Sequence, residues 1–84
     1  AMVDGAVAMG LSKEDATTLS IQTIVGAAAL LDESGDTPTS LREKVTSLKG
    51  ATAEAIAVFD EAGISKIVAD AMAASARRAG ELAQ

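Results

Sequence analysis

The sequence predicts an all-α protein, a bundle of about four helices that associates with a second copy of itself. Three observations predict it. Apolar residues make up 49% of the 84-residue chain, yet Phe59 is its one aromatic, so the apolar share is largely alanine, which packs helices closely. Gly and Pro punctuate the alanine-rich runs, and no strand is evident between them. The chain also lacks cysteine and histidine, so neither a disulfide nor an imidazole-held zinc can stabilise so small a core. A chain this short buries only about 60–65% of its unfolded surface, and oligomerisation is the remaining common route to stability.

The elements follow in order. A first helix spans Ala1 to about Met9. It opens without a capping residue and is too short to persist alone in water, so it reads as the tail of a longer helix. Gly10 stops it. Ser12 then caps a second helix, with Asp15 completing a variant capping box and Glu14 complementing the dipole. Leu11 and Ala16 are placed as a hydrophobic staple. Leu19, Ile24, Leu31 and the Gly26-Ala27-Ala28 patch give this helix a smooth apolar surface, and the stretch Asp32 to Asp36 ends it. Thr37-Pro38 restarts the chain with proline at the tolerated first helical position, and Leu41 and Val45 share one face. A further helix runs from about Ala53 to Ala62, with Ile56 and Phe59 on one side and Gly63 as the residue that ends it. The last helix runs from Ser65 to about Leu82. Ile64, Ile67, Val68, Ala71, Met72, Ser75, Ala79 and Leu82 form one continuous stripe along it.

The net charge of −5 argues against nucleic acid or an anionic membrane as partner, since both demand clustered Lys and Arg. The longest uncharged run, Ala16 to Leu31, is too short and too polar to span a bilayer. The opening residues carry no basic region of the kind that begins a signal peptide, and a cytoplasmic protein is expected. Without Cys or His there is no thiol nucleophile, Ser-His relay or imidazole metal ligand, and no metal site is expected. The carboxylate pairs Glu14/Asp15, Asp32/Glu33 and Asp60/Glu61 read as solvated caps and faces. The Arg77-Arg78 pair reads as surface, and Met2, Met9 and Met72 read as core filler.

One segment breaks the helical pattern. Val45-Thr46-Ser47-Leu48-Lys49-Gly50-Ala51-Thr52 is rich in hydroxyls and carries an interior glycine, both unfavourable in a continuous helix. Two readings stand. It is a helix-helix turn with Thr52 as cap, or a corner whose free amides and helix dipole suit a small carboxylate.

At these residues the chain resembles the C-terminal, dimer-forming domain of pyrroline-5-carboxylate reductase. Ala1 to Leu11 resembles that family's "EAMADAGVALGL" stretch, and Gln22-Thr23-Ile24-Val25-Gly26-Ala27-Ala28 is similar to its "QTVLGAAKML". Leu41 to Ser47 is similar to "LRDAVTS", and Glu81-Leu82 closes the chain as the family does. The order and spacing of these words, over nearly the whole chain, carry the resemblance.

The resemblance implies a two-domain enzyme that reduces 1-pyrroline-5-carboxylate to L-proline in proline biosynthesis. It implies an N-terminal Rossmann domain holding NADPH or NADH, absent from this chain, so that the fragment alone is inactive. It implies helices interlocked with a second copy, and rings of dimers also occur in that family. The family loop written V-T-S-P-G-G-(T/A)-T binds the substrate carboxylate. By position, Ser47 and the amides of Gly50 and Ala51 hold the carboxylate. Thr52 hydrogen-bonds near the imine nitrogen and assists its protonation, and Val45 lies near the nicotinamide. The chain departs from the family at Leu48-Lys49, where the loop has Pro-Gly. Leucine removes a rigid turn residue, and lysine does not readily adopt the backbone conformations open to glycine.

Two readings of other classes accompany this one. The first is a non-catalytic association module of a divergent imine reductase-like protein, which the Leu48-Lys49 departure motivates. The second is an acyl carrier protein, similar in size and acidity. That reading needs an Asp-Ser-Leu at a helix start, and no such tripeptide occurs. For assembly, the residues predict a homodimer of interleaved helices, because the short first helix and the long stripe of the last otherwise leave a contiguous apolar patch exposed.

Overall fold

The computed structural model describes residues 1–46 and 50–84. Five helices occur among them: α1 (Met2–Ala8), α2 (Lys13–Ser34), α3 (Pro38–Val45), α4 (Ala51–Ala62) and α5 (Ile64–Leu82). The described residues contain no strand, so the protein is all-α. The chain divides into two compact units, Ala1–Arg42 and Glu43–Gln84.

In the first unit, α1 packs against α2. Gly10 makes the corner between them with a left-handed φ of 110°, a conformation L side chains rarely adopt. The Leu11 amide donates to the Ala6 carbonyl at 3.1 Å and the Gly10 amide to the Val7 carbonyl at 3.0 Å. These are the paired bonds that satisfy the last carbonyls of a helix ending on glycine. Ser12 caps α2 as expected, its hydroxyl accepting from the Asp15 amide at 3.1 Å. The helix then continues past Leu31 to Ser34, ending on Gly35. Thr17 and Thr23 donate their hydroxyls to the carbonyls of Lys13 and Leu19, so they sit in the helix without a wasted donor. The buried residues of α2 are Ala16 and Ser20, four apart on one face and 0% and 8% exposed. Val3 and Ala6 of α1 are half-buried.

Thr37 opens α3, its hydroxyl accepting from the Ser40 amide at 3.1 Å and its carbonyl from the Leu41 amide at 2.9 Å. Pro38 therefore occupies the first helical position, where its missing N–H is no loss.

In the second unit, α4 packs against α5, with Ala53 and Ile56 half-buried. A single residue joins them. Gly63 ends α4 at φ 81° and ψ 43°, its amide donating to the carbonyls of Phe59 and Asp60. Its own carbonyl then accepts from the Ile67 amide at 3.0 Å and starts α5. Lys66 pairs with Asp70, and Arg78 with Glu81, both on exposed faces of α5. The Arg78 pairing accords with the surface reading of the arginine pair.

The methionines correct an expectation. Met2, Met9 and Met72 are all exposed, Met9 at 88%, and none of them fills a core in this chain. Met9 stands at the C-terminal end of α1, where the chain turns away at Gly10 and no neighbouring element covers it.

Candidate functional site

The corner between α3 and α4 lies within the second unit. Arg42-Glu43-Lys44-Val45 forms the last turn of α3, and the Thr46 amide closes it on the Glu43 carbonyl at 3.3 Å. Val45 ends the helix and is half exposed, while Thr46 is half-buried. Ser47, expected on the substrate carboxylate, lies outside the described residues, as do Leu48 and Lys49.

The chain resumes at Gly50, which caps α4 with φ −81° and ψ 171°. That is ordinary extended backbone, so the glycine is not demanded by a left-handed conformation here. No side chain caps the helix; the Gly50 carbonyl accepts from the Glu54 amide at 3.2 Å. Ala51 and Thr52 follow as the first two helical residues, both exposed. Thr52 is therefore not the cap that the turn reading made it. Glycine is itself an acceptable N-cap and alanine the best helix former, so the helix extends back to Ala51. Amides in this first turn have no acceptor four residues back, and the dipole adds a positive end. Glu54 in the same turn complements that dipole with a negative charge.

Chemically, the start of α4 offers first-turn backbone amides and the hydroxyl of the exposed Thr52. That suits an anion. Val45 ends α3, while Gly50, Ala51 and Thr52 open α4. Among the described residues no group of three Asp or Glu is placed to hold a metal ion. None of their helices is long and apolar enough to cross a membrane.

A second surface was expected in part, from Leu19 and Ile24 on α2 and from the stripe on α5, and Ile21, Val25 and Leu30 extend it on α2. The apolar side chains Leu19, Ile21, Ile24, Val25 and Leu30 of α2 are all exposed. At about 100° per residue they fall all round the helix rather than on one stripe. Their spacing was the available signal: a helix that is apolar all round belongs inside a larger core. On α5, Ile64, Ile67, Val68, Met72 and Leu82 are likewise exposed, and Ile64, Ser65, Val68, Ala69 and Met72 line a shallow open depression.

Residues 1–82 match the family described as pyrroline-5-carboxylate reductase dimerisation. The chain is 46% identical over 83 residues to the pyrroline-5-carboxylate reductase of Vibrio alginolyticus, covering 98% of this chain and 30% of that protein. It is 40% identical over 84 residues to the Pseudomonas aeruginosa enzyme of that name, covering 100% and 31%. For the Arabidopsis thaliana enzyme the identity is 36% over 84 residues, covering 100% and 30%. The chain thus spans about 30% of the length of these curated relatives. A match over all but the last two positions, with relatives at this identity along the whole chain, means that the chain belongs to the pyrroline-5-carboxylate reductase dimerisation family.

Proposed function

We propose that this chain is the dimer-forming and substrate-binding C-terminal part of a cytoplasmic pyrroline-5-carboxylate reductase, which reduces 1-pyrroline-5-carboxylate to L-proline with NADPH or NADH. The observation that carries the reading is the helix break itself: α3 stops at Val45 and α4 restarts at Ala51, at the place the family's substrate loop occupies. In this reading Ser47 and the amides of Gly50 and Ala51 hold the substrate carboxylate. Thr52 donates its hydroxyl toward the imine nitrogen and assists its protonation.

The cofactor supplies a hydride to the imine carbon and is held mainly by a nucleotide-binding part outside these residues. Dinucleotide phosphates need a glycine-rich turn after a strand, and the described residues contain no strand. Val45 fits the cofactor in one respect, as an exposed aliphatic contact for the nicotinamide. The chain by itself is inactive on this reading. Two copies interlock through α2 and α5, whose apolar side chains the single chain leaves uncovered.

The test places residues 1–84 in the Vibrio alginolyticus relative in place of its matching segment and follows NADPH oxidation with 1-pyrroline-5-carboxylate. The hybrid is expected to turn over. Removing a hydrogen bond to a charged group costs about 1.5–3 kcal/mol, so Ser47→Ala is expected to raise KM and Thr52→Ala to lower kcat by roughly tenfold to a hundredfold. Unchanged turnover and affinity in both variants remove the two residues from the site.

The Leu48-Lys49 pair favours one second reading, a non-catalytic association module of an imine reductase-like protein. Titration of the hybrid with proline separates the two, since an intact dimer that binds no proline selects the module.

A further inference from the structure

We draw no further inference here: the strongest candidate, the exposed apolar face of α5 along Ile64, Val68 and Met72, belongs to the association surface already assigned above, and nothing in the structure shows any other occupant that covers it.

Discussion

Ser12 is the residue whose local chemistry is most fully expressed. Its hydroxyl takes the Asp15 amide at 3.1 Å, one of the donors that a helix start otherwise leaves without a partner. Ser12→Ala is expected to cost about 1 kcal/mol and Ser12→Gly only a few tenths, read as a shift of the urea midpoint at fixed protein concentration. No loss in Ser12→Ala means that the hydroxyl contributes nothing to the cap. Ser12, Gly10, Pro38 and Gly63 were legible in the sequence because each acts within a few residues of itself, through a cap or a fixed φ. Thr52 was misplaced for the same kind of reason. Threonine and glycine rank about equally as caps, so the composition of the turn did not mark Gly50 as the residue that caps α4. The roles of Ser47, Gly50, Ala51 and Thr52 toward a substrate were not legible in their chemistry at all. Those roles came with the resemblance.

Among the elements, existence was legible and the ends nearly so, the start of α4 at Ala51 rather than Ala53 being the main difference. The sequence placed the end of α2 in the stretch Asp32 to Asp36, and the observed end lies within it. The helix runs on to Ser34 because Gly35 there supplies the left-handed residue that closes a helix. Lys66–Asp70 and Arg78–Glu81 lie on α5 with side chains more than half exposed, and Lys66→Ala or Glu81→Ala is expected to move stability by less than about 0.5 kcal/mol. Gly26 is the more telling position. It sits inside α2, and a methyl group added there meets nothing within 4 Å in the single chain. Taken alone, Gly26→Ala therefore gains about 1 kcal/mol of helix propensity. If a partner helix crosses the Gly26-Ala27-Ala28 patch, the same methyl group meets it. The expected result is unchanged or higher helicity by circular dichroism, together with at least a tenfold weaker dimer by sedimentation. Higher helicity with undiminished association places this patch away from the interface.

At the scale of the molecule, the decisive fact is where burial is missing. Ala16 and Ser20 are the buried residues of the described chain, while the large aliphatic side chains of α5, and all but Leu31 of those on α2, are exposed. A fold's main favourable term is apolar burial, at about 25 cal/mol per Å², and two small side chains cannot offset the ordering of five helices. The sequence signalled this through its stripe on α5, but periodicity says only that a face will be covered, not by what. If a second copy covers it, folding and association are one equilibrium. The unfolding midpoint then rises with protein concentration, by about 1.4 kcal/mol of stability for each tenfold increase. Ile67→Glu tests the same idea from the side of the interface, since an unpaired charge there is strongly disfavoured against an apolar partner. It is expected to weaken the dimer by at least a hundredfold in sedimentation and to unfold the chain at micromolar concentration. Lys66→Ala, its neighbour on the same helix, is expected to leave association unchanged. A wild-type monomer that stays folded with a concentration-independent midpoint would separate folding from pairing, and the uncovered faces of α2 and α5 would then need another explanation.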